Sequence, residues 1–249
     1  MLAIIDRTES APGGRVRLEP GTIYVFSVDL ARVESDSGII DDPLTAEVRL
    51  EAMARDRLFR SHRTLAGRDC LRRIIGRCSG RDPRSLKLSR GKDGKPRLLD
   101  PDDAQRIHFN ASHSGDLMVV AVSLNTPVGI DVEGVRPLDN LLSTAGYYFS
   151  NAEFEELLSV HPEDQCRAFY AGWTRKEAFV KATGEGMRRD FRSFDVTLSP
   201  SAVPRIAAIR SASSVENSHA WQMFAFEPCP GYVAAVVARG EGGRLARVD

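Results

Sequence analysis

Apolar and polar positions change period along this chain, from two to about 3.6 and back, and they do so twice. Thr22–Leu30 is rich in β-branched and aromatic residues and predicts a strand. From Asp42-Pro43 the pattern turns helical, and a second helix over His62–Gly76 would align Leu65, Leu71, Ile74 and Ile75 as an apolar stripe. Gly91–Pro96 reads as the turn of a short hairpin between Leu86–Leu88 and Arg97–Leu99. Ile107–Ala111 and Leu117–Leu124 are strands around a turn at Ser112–Gly115, and Thr126-Pro127 then punctuates the chain near its middle.

The second half repeats that order. A strand at Val128–Glu133 leads to helical stretches, the longest at Asp164–Thr183, and then to strands near Arg192–Leu198, Pro204–Ile209, Ala220–Phe226 and Tyr232–Ala238. Each half ends in a hairpin, which suggests an internal duplication divided at 1–125 and 126–249, although identity between the halves is slight. The Gly- and charge-rich tail from Arg239 to Asp249 is expected to be loose.

Composition narrows the class without naming it. With 249 residues, 42% of them apolar and 27% charged, the chain can bury a core and reads as a soluble protein. An acid arrives at Asp6, too early for a signal peptide, and the apolar runs at Leu117–Val122 and Tyr232–Ala238 are too short to cross a bilayer. A cytoplasmic monomer that does not bind membranes is expected. Cys70, Cys78, Cys166 and Cys229 form no CxxC pair, so reduced thiols are expected, and no histidine sits in an HExxH pattern.

The net charge is zero but unevenly spread. Arg49–Arg97 holds 16 basic residues against five acids, and Gly129–Asp164 holds eight acids against one arginine. Such runs are ordinarily solvated faces, yet a basic half opposed to an acidic one also suits a polyanion bridged by a metal. Nucleic acid is not expected, since no basic motif is interleaved with aromatics.

Two segments carry candidate chemistry. In Val128–Glu133, alternation puts Val128, Ile130 and Val132 on one face and Asp131 and Glu133 on the other. Two carboxylates at about 5 Å repel by roughly 3 kcal/mol at an effective dielectric near 20, which a cleft would offset with a cation. In Trp173–Lys181, Trp173, Glu177 and Lys181 recur every four residues on one side of a helix, with Phe169, Trp173 and Val180 anchoring it. Oxygen-only ligands favour Mg²⁺, with Mn²⁺ as the alternative. Taken alone, each feature has a plainer reading. The acidic pair is an exposed strand face, Glu177–Lys181 a surface pair, Lys176 a solvated lysine, and Gly184–Gly186 a helix stop. His113, flanked by Ser112 and Ser114, offers donors to a phosphate or is simply exposed. Gly94-Lys95-Pro96 is a hairpin turn, and Arg63 and Thr64 serve an anion or solvate a helix.

Their joint order is more specific. HRTLAG at His62–Gly67, GKPRL at Gly94–Leu98, FNASHSG at Phe109–Gly115, GIDVE at Gly129–Glu133 and WTRKEAFVKATGEG at Trp173–Gly186 resemble the Sfp-type 4'-phosphopantetheinyl transferases. That resemblance implies an α+β pseudo-dimer of two similar subdomains with coenzyme A between them. It also implies transfer of the phosphopantetheine arm of coenzyme A to a serine of an acyl or peptidyl carrier protein. By the same resemblance Asp131, Glu133 and Glu177 bind Mg²⁺, and Glu177 is the general base. Lys176 and Lys181 meet the phosphates, His113 with Arg63 and Thr64 the 3'-phosphate, Gly94, Lys95 and Pro96 the adenine, and Ser112 is a further coenzyme A-binding residue. In the first long helix the register that would carry basic residues holds Val48 and Glu51, with Arg49 and Arg55 only nearby. Two other classes use the same residues: a Mg²⁺-dependent nucleotide hydrolase or phosphoryl-transfer enzyme, and a non-catalytic carrier-protein or coenzyme A binding module.

Overall fold

The structure is a computed structural model and describes residues 4–7, 14–33, 58–90, 96–99, 107–199, 202–210, 217–240 and 242–248. The side chains of 4–7, 58–65, 89–90 and 187 fall outside the described set. In chain order the elements are β1 (Ile4–Arg7), β2 (Thr22–Asp29), α1 (Leu58–Ser79), β3 (Leu88–Arg90), β4 (Pro96–Leu98), β5 (Ile107–Ser114), β6 (Leu117–Leu124) and β7 (Val128–Gly134). They continue with α2 (Leu141–Tyr148), α3 (Asn151–Ser159), α4 (Pro162–Thr183), β8 (Phe194–Val196), β9 (Ile206–Ile209), β10 (Trp221–Phe226), β11 (Tyr232–Arg239) and β12 (Arg244–Val248). The helix expected from Asp42 lies outside the described residues.

Two sheets lie face to face with helices on their outer sides. The five-stranded sheet runs β1-β12-β2-β6-β5, and the three-stranded sheet runs β10-β11-β7. Between them Ile23, Val25, Val119 and Ala121 of the first pack against Val128, Ile130, Val132 and Val236 of the second. On the outer face of the first sheet, Tyr24, Phe26, Val120 and Val122 meet Leu71, Ile74 and Ile75 of α1. On the outer face of the second, Met223, Val233, Ala235 and Val237 meet Phe169, Phe179 and Val180 of α4. Both β6 and β11 are covered on both faces, which is why their sequences are continuous apolar runs rather than alternations.

The expected duplication is visible in the topology. In the first half the leading strand β2 pairs antiparallel with β6, and β6 with β5. In the second, β7 pairs antiparallel with β11, and β11 with β10. Each half therefore sets its leading strand beside the later strand of its own hairpin, and this repeat produces the mixed α+β architecture. The halves meet where β5, the edge of one sheet, runs alongside β7, the edge of the other.

Three expectations are corrected. The tail is not loose: β12 lies between β1 and β2, parallel to both, with Leu245 and Ala246 fully buried. The Gly-rich character belongs to the crossing at Gly240–Gly243, where Gly240 and Gly242 have positive φ and Gln222 accepts from the amide of Gly243. Because β12 joins the first sheet, the second half of the chain contributes structure to the first. The strand before Gly115 is also longer than expected. Ser112, His113 and Ser114 stay paired with β6, and the turn tightens around Gly115 at φ 59°. Lastly, the plainer reading of the acidic pair as an exposed strand face does not hold for Asp131: the outer face of β7 is roofed by α4, leaving Asp131 5% exposed.

Gly129 lets that roof come down. A Cβ there would overlap the carbonyl oxygen of Ala178 and the amide nitrogen of Ala182, so helix backbone rests directly on strand backbone. Gly129→Ala is expected to cost about 3 kcal/mol or more, because two backbones must separate. Urea unfolding checks this, and a midpoint equal to the native protein's would contradict the contact.

Candidate active site at the seam

The seam between β5 and β7 gathers polar side chains from three elements. Alternation puts Gly129, Asp131 and Glu133 on the side of β7 beneath α4, and helical spacing puts Glu177 and Lys181 of α4 one turn apart above it. The Lys181 ammonium donates to Asp131 Oδ1 at 2.6 Å, to Ser112 Oγ at 3.0 Å and to the Ile130 carbonyl at 3.2 Å, so its three protons are all used within the protein. The Ser112 hydroxyl donates to the same Asp131 oxygen at 2.7 Å. The Ser114 hydroxyl donates to Glu133 Oε2 at 2.8 Å and accepts from the amide of Gly134 at 3.1 Å.

The electrostatics show Asp131 acting on both glutamates, and Glu133 on Glu177. Burial pushes the Glu177 carboxyl above the ordinary glutamate range, and the charges of Asp131 and Glu133 push it further, against the pull of Lys181. Burial likewise raises Glu133, with Asp131 adding to the rise, while the Ser114 hydrogen bond, Arg136 and Lys181 oppose it. Asp131 Oδ2 is buried and has no hydrogen-bond partner. A buried carboxylate oxygen left unpaired is costly unless something occupies it.

That donor set fits a small hard divalent cation. It is all oxygen, it carries excess negative charge, one buried oxygen is free, and Lys181 already holds a positive charge against Asp131. Among the described residues no three His, Cys, Asp or Glu side chains are gathered closely enough to cage an ion by themselves. An ion here would therefore complete its shell with water and ligand oxygens, the usual habit of Mg²⁺ at phosphate sites.

Beside the carboxylates opens a cavity of about 1020 Å³. Pro96, Asn110 and Ala111 of the first half line it opposite Tyr148, Trp173 and Phe191 of the second, with Glu177 and Lys181 in its wall. Tyr148 and Phe191 each meet the Trp173 ring edge-on, so the aromatic wall is fixed.

Of the residues singled out from sequence, Asp131, Glu133, Glu177, Lys181 and Ser112 come together, and Pro96 reaches the cavity. His113 stands apart from the carboxylates. Alternation along β5 turns it to the face that carries Phe109 and Ala111, the side of α1, and it is exposed there. Gly94 and Lys95, and the side chains of Arg63 and Thr64, lie outside the described residues.

Lys176 is a correction. It is neither solvated nor a wall of the cavity but fully buried, paired at 2.7 Å with the equally buried Glu153 and donating to the carbonyls of Phe191 and Phe194 at 2.7 Å each. Its three protons are spent and its ammonium lies 4.1 Å from the Phe194 ring centroid, so it has nothing left for a phosphate. Glu153 also accepts from the amides of Ser150 and Val196, which ties α3, α4 and β8 together. Removing one partner of such a pair costs about 3–5 kcal/mol.

Sequence reasoning passed over Asn110, Ser114, Gly129 and Glu153. The Asn-x-Ser-x-Ser alternation at 110–114 did carry a signal, since period two sets all three side chains on one face.

For Glu177 the sign is set by its raised pKa. Between the ordinary glutamate pKa and the raised one, the folded state binds more protons than the unfolded, so stability falls as pH rises through that window. In chelator-treated protein, Glu177→Gln is expected to raise the thermal midpoint at neutral pH, with the gain vanishing as pH falls below the ordinary carboxylate range. A lower midpoint for the variant at neutral pH would contradict the crowding of the three acids.

Comparison with known proteins agrees with this geometry. A family model described as the 4'-phosphopantetheinyl transferase superfamily matches residues 127–237, and one described as 4'-phosphopantetheinyl transferase, N-terminal, matches residues 52–125. The 4'-phosphopantetheinyl transferase HetI of Nostoc sp. is 32% identical over 224 residues, 88% of this chain and 89% of that one. Sfp of Bacillus subtilis is 34% identical over 179 residues, 72% and 74% of the two chains, and AcpT of Salmonella typhimurium is 42% identical over 113 residues, 45% and 56%. With a seam of acids and a lysine beside a large cavity, and relatives aligned along most of its length, this chain belongs to the 4'-phosphopantetheinyl transferase family.

Proposed function

We propose that this protein transfers the phosphopantetheine arm of coenzyme A to a serine of an apo acyl or peptidyl carrier protein, with Mg²⁺ at the seam, releasing adenosine 3',5'-bisphosphate. The observation that carries the metal reading is the buried, unpartnered Asp131 Oδ2 beside two glutamates whose carboxyls burial and the Asp131 charge push above the ordinary range. Asp131, Glu133 and Glu177 would hold the ion. When bound it supplies charge neutralisation at the diphosphate, which otherwise repels an incoming nucleophile.

The remaining work falls to the chain's own residues. Glu177 stands in the cavity wall, and its carboxyl, raised by burial and the Asp131 charge, is a stronger proton acceptor than an ordinary glutamate. It accepts the carrier serine's proton, directly or through one water, as the serine oxygen bonds to the β-phosphorus and the bond to the departing nucleotide breaks. Lys181 offsets charge on the phosphates by exchanging one of its neutral acceptors, Ser112 or Ile130, for a phosphate oxygen. Pro96 supports adenine binding by the first half. The 3'-phosphate is assigned to His113 with Arg63 and Thr64, on the α1 side of β5. The two halves in this reading divide the labour, nucleotide recognition in 1–125 and chemistry in 126–249, with β12 returning to brace the first. Positioning of two large substrates supplies much of the remaining acceleration. Among the described residues no helix is long and apolar enough to cross a membrane.

Intact mass of apo carrier proteins after incubation with coenzyme A, Mg²⁺ and enzyme tests the proposal. One phosphopantetheine per carrier is expected, lost in chelator and restored by Mg²⁺ or Mn²⁺. Glu177→Gln is expected to slow transfer by about 10²–10⁴-fold while the fold survives. Consumption of coenzyme A without carrier would favour the hydrolase reading, and full transfer in chelator would reject the metal.

A further inference from the structure

We infer that Ser114, carried by the first half, is a positioning residue that aims Glu133 of the second half at the metal. This rests on the metal reading above. No backbone ladder joins β5 to β7, because each is the edge strand of a different sheet. A row of side chains joins them instead. Asn110 Oδ1 accepts from the amide of Ile130 at 2.9 Å, Ser112 donates to Asp131, and Ser114 donates to Glu133 while accepting from Gly134.

The geometry at Ser114 is directional. Ser114 is buried, 8% exposed as a residue, and the Gly134 amide occupies a lone pair of its hydroxyl, which leaves the hydroxyl proton to the Glu133 carboxylate. The amide belongs to the residue after Glu133, so one hydroxyl grips both the backbone and the side-chain tip of the same short stretch. Scaffold bonds fall on one oxygen of each carboxylate, Oδ1 of Asp131 and Oε2 of Glu133. That division leaves Asp131 Oδ2 free. Asp131 has a second anchor in Lys181, whereas Ser114 is the one hydrogen-bond donor to the Glu133 side chain among the described residues. A three-torsion glutamate without that hold would have to be ordered by the ion itself, at a cost in affinity.

Binding of Mn²⁺ alone, followed by electron paramagnetic resonance in the absence of coenzyme A, tests this through a double-mutant cycle. Ser114→Ala in the native background is expected to weaken Mn²⁺ by about 10-fold or more, the scale of an outer hydrogen bond to a metal ligand. In a Glu133→Gln background the same substitution is expected to change Mn²⁺ affinity little, because its route to the ion has been removed. Thermal midpoints of all four proteins provide the folding control. An unchanged affinity in Ser114→Ala, or an equal loss in both backgrounds, overturns the inference and leaves the proposed function standing. Failure of the native protein to bind Mn²⁺ at all overturns the metal reading and the inference together.

Discussion

Three carboxylates facing one half-buried seam, near enough for Asp131 to act on both glutamates but not gathered into a cage, form the constraint around which the molecule is arranged. Like charges in that position repel, and burial makes Glu133 and Glu177 harder to ionise, as their raised pKa values record. The fold tolerates them because β5 brings hydroxyls to the seam and α4 brings an ammonium. Lys181 compensates Asp131 without neutralising the whole cluster. What remains is a site with surplus negative charge and one oxygen free, beside a cavity that both halves line. Such a site attracts a cation and, through it, a polyanion.

The duplicated topology explains why the seam falls where it does. The first half ends its sheet on the hairpin strand β5, and the second ends its sheet on the leading strand β7. Stacking the sheets face to face sets the edge of one along the edge of the other, where backbone groups need partners and side chains supply them. Gly129 then lets α4 settle on β7 so that Glu177 and Lys181 reach the same place. The Glu153–Lys176 pair locks the other side of α4 to α3 and β8, so the helix has little freedom to lift. Chemistry on the seam-facing side of one helix is thus set by burial on its other side.

Much of this was legible in the residues. The switch between period two and period 3.6 located β2, β5–β7 and α4, and alternation in Val128–Glu133 separated the core face from the acidic one. What it could not supply was the identity of the roof. An acid facing away from the core reads as solvated unless something is known to cover it, and only the tertiary packing of α4 does so. Lys176 failed for the same reason, since nothing local distinguishes a lysine over a buried glutamate 23 positions earlier from a lysine in water. The last strand was hidden by composition: glycines and arginines at 239–244 masked a short apolar core segment whose partners, β1 and β2, lie at the opposite end of the chain.

The account's central claim concerns where one ion sits, and anomalous diffraction from crystals grown with Mn²⁺ and coenzyme A tests it most directly. The claim predicts a single anomalous peak about 2.0–2.2 Å from Asp131 Oδ2 and from carboxylate oxygens of Glu133 and Glu177, with diphosphate oxygens completing the shell. A peak elsewhere, or bound coenzyme A with the three carboxylates turned apart and no ion between them, would contradict it.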